Sequence, residues 1–372
     1  MKLAFCLFKF FPYGGLQRDF LRIAKACHDR GHAIHVYTMA WEGEQLPHFS
    51  VHILPAKGLT NHGRCKSFSG LLARELEKGH FDAVIGFNKM PGLDVYFAAD
   101  PCFASKYAGK SILSRLTGRY RVYSAMERAV FDRDANTKIL LLTGEEKQNY
   151  IRCYQTPDER FYLLPPGINP SDYQLSNPEE VRSQIRQQLD VGMQDLLLLM
   201  VGSGFKTKGV DRSIRALASL PAELRSRARL FVVGRGDSAP FEKLSAKLGI
   251  SRQVSFLGTR NDVPAFLVAA DILLHPSYTE AAGMVLLEAM LAGLPILCSE
   301  VCGYATHVKS AGSGQLIPEP FEQRTMNNLL LHMLAAADER KSWSRNGLEY
   351  VAKTDISGLP DQAVQIIESV TR

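Results

Sequence analysis

Leu196-Leu-Leu-Leu-Met-Val-Gly-Ser-Gly-Phe-Lys-Thr-Lys-Gly-Val-Asp211 is the stretch on which the fold turns. Six apolar residues in a row are too few for a helix of ordinary length, and they stop at a glycine-rich turn, after which helical spacing runs over 210–219. A short unbroken apolar run closed by glycine reads as a strand buried on both faces, the kind found in parallel sheets. The pattern repeats outward from it. Downstream, strands are predicted at 230–233, 254–257, 272–275 and 296–298, with helices at 240–248, 263–269 and 285–291. Upstream, strands are predicted at 3–8, 33–38, 51–54, 83–87, 95–98, 139–143 and 162–164, with helices at 17–30, 67–78 and 145–154. Two such series predict two α/β domains with parallel sheets. The proline-rich stretch 165–178 is the natural boundary, giving domains at 1–166 and 167–350 and a tail at 351–372 broken near 355–358. A chain of 372 residues also exceeds what one core usually sustains.

Seven scattered cysteines without a C-x-x-C pair suit free thiols in a reducing compartment, with Cys6, Cys27 and Cys298 expected as small buried hydrophobes. The opening Met1–Lys9 run, interrupted by lysine and then by Pro12 and Gly14, reads as neither signal peptide nor membrane span, so a cytoplasmic address is expected. Charge is unevenly placed. Residues 1–168 hold 23 Lys plus Arg against 16 Asp plus Glu, a balance of +7, and the remainder holds 21 against 22, or −1, which sums to the overall +6. Within 105–133, Lys106, Lys110, Arg115, Arg119, Arg121, Arg128 and Arg133 interleave with aromatic and aliphatic residues. Such a stretch suits the surface of an anionic membrane, and its period equally suits a helix packed on its own domain. An acidic protein partner for this basic half is also open. Nucleic acid is not expected despite a pI near 8.9, because the basic residues accompany an apolar face and no recognition motif.

In doubly wound sheets the turns after strands carry the chemistry. Pro12-Tyr-Gly14-Gly15-Leu16 offers paired glycines for close approach of a phosphate or sugar, with Asp19 opening the helix. The 202–209 turn sets Lys206 and Lys208 among glycines but lacks the G-x-x-x-x-G-K-[ST] spacing of a P-loop. Arg260 lies in a third turn, 257–263. In the fourth, Tyr278-Thr-Glu280-Ala-Ala282-Gly283-Met284-Val285-Leu-Leu-Glu288, the two glutamates stand about 2.2 helical turns apart and are expected on one face. The amides of the first turn favour a diphosphate.

Together the four turns resemble the retaining glycosyltransferases of family 4, over nearly the whole chain. The strings Phe10-Phe-Pro-Tyr-Gly-Gly-Leu-Gln-Arg-Asp19, Gly86-Phe-Asn-Lys-Met-Pro-Gly-Leu-Asp-Val-Tyr-Phe-Ala-Ala-Asp100 and Pro165-Pro-Gly-Ile168 are most similar to the members that glucosylate a heptose of the lipopolysaccharide inner core. The resemblance implies a GT-B fold, two facing Rossmann-like domains with a C-terminal helix crossing back to the first. It implies UDP-glucose as donor, no metal or other cofactor, and peripheral attachment to the cytoplasmic face of an anionic inner membrane through Lys106, Lys110, Arg115, Arg119 and Arg121. By the same resemblance Glu280 binds donor-sugar hydroxyls, Glu288 the ribose, and Lys208 with Lys206 the diphosphate. Gly14, Gly15, Asp19, Ala282, Gly283, Met284 and Val285 complete the donor cradle, and Arg260 lies by the uracil. Asp100, with Glu280 and Lys208, forms the catalytic set, and Asn88, Lys89, His62 and Arg64, near Thr60 and Asn61, meet the acceptor. Two departures stand out: Ser203 replaces the family's usual arginine, and Asp100 replaces its usual histidine. A nucleotide-sugar epimerase of the same fold, or a transferase using UDP-galactose or UDP-N-acetylglucosamine, remains as the alternative.

Overall fold

The apolar run at 196–201 forms the strand β10 at the middle of a six-stranded sheet. The structure, a computed structural model, describes residues 1–12, 14–107 and 111–370, apart from the side chains of Ile112 and Glu145. The chain divides into two units, residues 1–167 with 357–372, and residues 168–356.

Unit 2 contains β10 (Leu196–Val201), β11 (Ala228–Val233), β12 (Val254–Gly258), β13 (Ile272–His275), β14 (Ile296–Ser299) and β15 (Gly314–Ile317). Their order is β12-β11-β10-β13-β14-β15, every neighbouring pair parallel, with Leu196–Val201 beside Ala228–Val233 on one edge and Leu198–Leu199 beside Ile272–Leu273 on the other. This is the Rossmann order, reversing between β10 and β13. Both faces are covered, so Leu197, Leu198 and Leu199 are fully buried. The helix Val210–Ala218 places Val210, Ile214 and Leu217 against Leu198, Leu230 and Ile272. Each such side chain contributes about 1.5–3 kcal/mol on burial, which is why a run of leucines is placed here.

Unit 1 contains β1 (Lys2–Cys6), β3 (Ala33–Thr38), β5 (Phe49–Ile53), β6 (Ala83–Gly86), β7 (Val95–Ala98), β8 (Lys138–Leu141) and β9 (Phe161–Leu163), with a separate pair β2 (Lys9–Phe10) and β4 (Ala40–Trp41). The main sheet runs β5-β3-β1-β6-β7-β8-β9, again wholly parallel, and reverses between β1 and β6. The tail joins this unit from Ser357 rather than from residue 351, because the helix Ala337–Lys353 continues in unit 2. Its helix Leu359–Glu368 buries Leu359, Ala363, Val364 and Ile367. Arg30 bonds the exposed Asp361 at 3.3 Å and the partly exposed Glu368 at 3.1 Å, contacts that each contribute about 1 kcal/mol or less, so apolar burial holds the tail.

Candidate active site

The switch point of unit 2 gathers charged side chains from two adjoining loops. After β10, Gly204 accepts from the amide of Lys208 at 3.1 Å, and the Lys208 stem lies over Gly202. After β13 the chain runs through Pro276, Ser277 and Tyr278 to Glu280. The two loops are bonded to each other: Tyr278 N–H donates to Thr207 O at 2.8 Å, its hydroxyl donates to Asp211 at 2.9 Å, and Arg212 donates to the carbonyls of Pro276 and Ser277. At Gly209 (φ +72°) a Cβ would stand 2.1 Å from Pro276 O, so only glycine lets the backbones meet.

Across this junction Lys208 Nζ forms an ion pair with Glu280 Oε2. The same oxygen lies 3.2 Å from His275 Nε2, and Ser277 Oγ is 3.1 Å from that nitrogen. Burial by itself would raise the Glu280 carboxyl; the His275 hydrogen bond and the Lys208 charge overcome it and hold the group at about 2. Burial lowers His275 further than Glu280 raises it, leaving the imidazole neutral at ordinary pH. The result is a fixed carboxylate beside an ammonium on a four-carbon stem, an acceptor for hydroxyls next to a cation for phosphate. His275 was not among the residues singled out from sequence. Its signal was a polar side chain ending the otherwise apolar strand Ile272–His275 at the switch point.

Glu280 and Glu288 do not share a helix. The helix spans Met284–Leu291, with Gly283 as its left-handed N-cap (φ +94°), so Glu280 lies in the preceding loop. That loop is pinned by a bridge to Cys302, by Gly303 N–H on Glu280 O at 3.3 Å and by Tyr304 N–H on Ala282 O at 2.7 Å. Glu288 and Val285 are buried on the helix, while Met284 is half-buried. No side chain caps this helix, so its first amides point out of the Ala282–Val285 turn. Lys206 is solvent-exposed on the β10 loop. Arg260 follows edge strand β12, two strands from β10, and is held by Asp262 at 2.7 and 2.9 Å.

In unit 1, Asn88 Oδ1 accepts from Phe8 N–H at 2.7 Å and so joins the ends of β1 and β6 at that switch point. Gly14 leads into the helix Gly15–Asp29; a Cβ there would strike Gln17 Oε1 at 1.7 Å, whereas the space beside Gly15 is open. Asp19 points inward with Phe20 and Ile23, buried, 3.6 Å from Arg22, and burial pushes its carboxyl up to about 6.

Asp100 is exposed just past β7, its carbonyl accepting from Tyr150 OH at 2.8 Å. Lys89, expected at the acceptor, is engaged within its own unit: its ammonium bonds the fully buried Glu127 at 2.5 Å and Pro101 O at 2.9 Å and lies over the Tyr150 ring. Glu127 also accepts from Phe103 N–H at 2.7 Å, Ala104 N–H at 2.8 Å and Tyr154 OH at 2.6 Å. His62 and exposed Arg64 sit in the first turn of the helix Asn61–Gly79, beside its cap Thr60, and Arg64 donates to Asn61 at 2.7 Å.

The basic stretch is two helices, Ile112–Arg115 and Gly118–Phe131. The second is split: Arg119 and Arg121 are exposed, whereas Met126, Glu127, Val130 and Phe131 are buried, so a core-packed half continues into a solvent-facing one. Leu113 and Leu116 stand exposed beside Arg115, Lys106 is exposed, and Phe103, Tyr107, Tyr120 and Tyr123 cluster behind them. Lys110 lies outside the described residues. No helix among the described residues is long and apolar enough to cross a membrane.

Comparison with known proteins gives the same result for both units. The model of glycosyltransferase family 4 matches residues 13–172, and that of group 1 glycosyl transferases matches residues 181–350. The lipopolysaccharide glucosyltransferase WaaG of Escherichia coli strain K12 is 48% identical over 371 residues, 99% of this chain and 98% of its own. A D-inositol 3-phosphate glycosyltransferase of Stackebrandtia nassauensis is 27% identical over 91% of this chain and 83% of its own. The crystal structure of WaaG, a glycosyltransferase involved in lipopolysaccharide biosynthesis, superposes with a TM-score of 0.94 over 99% of this chain and 100% of that one. Anabaena Alr3699/HepE, solved with UDP and glucose, has a TM-score of 0.79 at 20% identity over 99% of this chain and 100% of that one, a likeness of fold alone. With two Rossmann-like units and an end-to-end relative at 48% identity, the chain belongs to the family 4 glycosyltransferases and has the GT-B fold.

Proposed function

We propose that this chain transfers glucose from UDP-glucose to a heptose of the lipopolysaccharide inner core, with retention at the anomeric carbon. The observation that carries the reading is the match to WaaG, 48% identical along virtually the full length of both chains. Glu280, held ionised, accepts hydroxyls of the donor sugar; Lys208 leaves it to meet the diphosphate, and Glu288 serves the ribose. Gly15 and the Ala282–Val285 turn offer amides to the phosphates, with Lys206 nearby and Arg260 toward the base. Asp100, Asn88, His62 and Arg64 serve the acceptor side. Attack comes from the face the diphosphate leaves: the acceptor oxygen bonds to the anomeric carbon as the carbon–oxygen bond to UDP breaks, and the hydroxyl proton passes to the departing phosphate oxygen. Lys208 stabilises the charge that develops there, so the reading calls for no metal.

The enzyme works on a lipid-anchored acceptor, and exposed Leu113 and Leu116 among Lys106, Arg115, Arg119 and Arg121 suit an anionic inner-membrane surface. The direct test offers UDP-glucose, UDP-galactose and UDP-N-acetylglucosamine to the purified chain with a heptosylated core acceptor, products being read by mass and linkage. Glucosylated product forming only with acceptor present is expected, and Glu280→Ala is expected to lower kcat/KM at least a hundredfold. Equal turnover of the other donors, or isomerised sugar nucleotide without acceptor, overturns the proposal. For the membrane arm, Arg119→Glu with Arg121→Glu is expected to weaken sedimentation with phosphatidylglycerol vesicles about tenfold or more; unchanged binding refutes that surface.

A further inference from the structure

Lys208 and His275 bond the same oxygen of Glu280, but they are built very differently. Lys208 hangs on a four-carbon stem from a loop. His275 ends the central strand β13, buried among Leu273, Leu274 and the loop that follows, with Cys302 Sγ on its carbonyl at 3.9 Å. Because an ionised carboxylate can only accept, the single N–H of the neutral ring must be on Nε2, donating to Glu280 at 3.2 Å. Nδ1 is buried with no hydrogen-bond partner. The strand therefore carries a buried imidazole whose one N–H faces Glu280 Oε2 at 3.2 Å, with Ser277 Oγ 3.1 Å from the same nitrogen, and whose other nitrogen has no hydrogen-bond partner. A side chain present merely to fill the sheet would be apolar, like Ile272, Leu273 and Leu274 before it.

We infer that His275 is a positioning residue: when Lys208 turns from Glu280 to the donor diphosphate, His275 keeps Glu280 Oε2 in place and leaves Oε1 aimed to accept from the donor sugar. A diphosphate, with more negative charge and more acceptor oxygens, outcompetes a single carboxylate for the flexible ammonium. The imidazole cannot follow, being fixed by the sheet. The inference rests on the reading of Glu280 as a sugar-binding residue and predicts an effect on the hexose that spares the nucleotide.

The test compares His275→Gln, whose amide nitrogen falls near the position of Nε2, with His275→Asn, whose amide falls near Nδ1. For each, kcat and KM with UDP-glucose are measured beside the Kd of UDP by calorimetry. Expected is a kcat/KM at least tenfold higher for the Gln variant than for the Asn variant, with UDP affinity within about twofold for both. Equal kcat/KM in the two variants overturns the inference. So does a parallel loss of UDP affinity, and so does failure of both to fold, since the ring would then serve the sheet rather than the donor. Glu280→Gln separates the two layers: a wild-type ratio of UDP-glucose KM to UDP Kd there removes the sugar-binding reading itself, whereas an impaired Glu280→Gln with an unimpaired His275→Asn removes the role of His275 alone.

Discussion

Replacing Glu127 with glutamine tests whether Lys89 is structural or an acceptor ligand. The carboxylate is fully buried and collects Lys89 Nζ and Phe103 N–H on Oε1, and Ala104 N–H and Tyr154 OH on Oε2. An amide keeps one accepting oxygen and turns an NH2 toward the other pair: facing Lys89 and Phe103 it strands two buried donors, and facing Ala104 and Tyr154 it strands the Ala104 N–H, since the Tyr154 hydroxyl can accept. Each such loss amounts to about 1–3 kcal/mol. Lys89, 11% exposed, is also left with a buried charge and no counter-charge, and removing one partner of a buried pair typically destabilises by about 3–5 kcal/mol. These figures overlap rather than add, and about 4 kcal/mol is the expected result. For a unit of 183 residues (167 plus 16), at about 2–4 °C per kcal/mol, its melting point falls by about 8–16 °C.

Scanning calorimetry and urea unfolding of Glu127→Gln, Lys89→Met and the double variant measure it. The double variant is expected to lose about 2 kcal/mol less than the sum of the single losses, because the stranded ammonium is gone. A Glu127→Gln melt within 2 °C of the unsubstituted protein would refute the reasoning. So would a Lys89→Met protein of unchanged stability whose acceptor KM rises, since that returns Lys89 to the acceptor site.

Three further outcomes follow from the same geometry. Asp19, raised from 3.8 to about 6, favours the fold when protonated; its contribution is complete below pH 3.8 and is lost as pH rises through 6. Asp19→Asn is therefore expected to match the unsubstituted stability near pH 4 and exceed it by about 3 kcal/mol at pH 7.5, and a pH-independent difference in urea unfolding counts against the buried placement. Glu280, lowered from 4.5 to about 2, stabilises unit 2 above pH 4.5 and loses that contribution, about 3 kcal/mol, as pH falls toward 2; Glu280→Gln is expected to flatten this limb of the acid-unfolding curve. Gly209→Ala forces a Cβ into Pro276 O in a left-handed backbone and is expected to weaken UDP binding at least tenfold by calorimetry, with unchanged affinity refuting the abutment of the two loops.

The double-wound plan was legible because buried parallel strands are continuous apolar runs; β7, β10 and β13 fall on the residues that their composition indicates. Strand β15, Gly-Gln-Leu-Ile, was missed because a four-residue edge strand with a polar second position has little pattern to read. The helices Pro178–Gln188 and Ala337–Lys353 were missed for the opposite reason: each is rich in charge, and its narrow apolar stripe is set by what it packs on. At the site, Lys208 and Glu280 were legible as charged residues beside glycines after strands, while their ion pair across 72 residues was not. Lys89 gave no local hint of a counter-charge 38 residues on, and the burial of Asp19 was not legible because one step of helical phase separates an exposed position from a core one.

The close meeting of Gly209 with Pro276 also bears on the thermodynamics of binding. Backbones in van der Waals contact, bonded through Tyr278 and Arg212, cannot fluctuate independently, so the cation and the carboxylate are brought to their stations by folding and not by the donor. The conformational entropy of ordering these loops is then absent from the association step, which leaves the rotation of one lysine side chain as the principal rearrangement there. Donor capture at this corner of the protein is expected to be rapid, with a small entropic penalty and little dependence on loop motion.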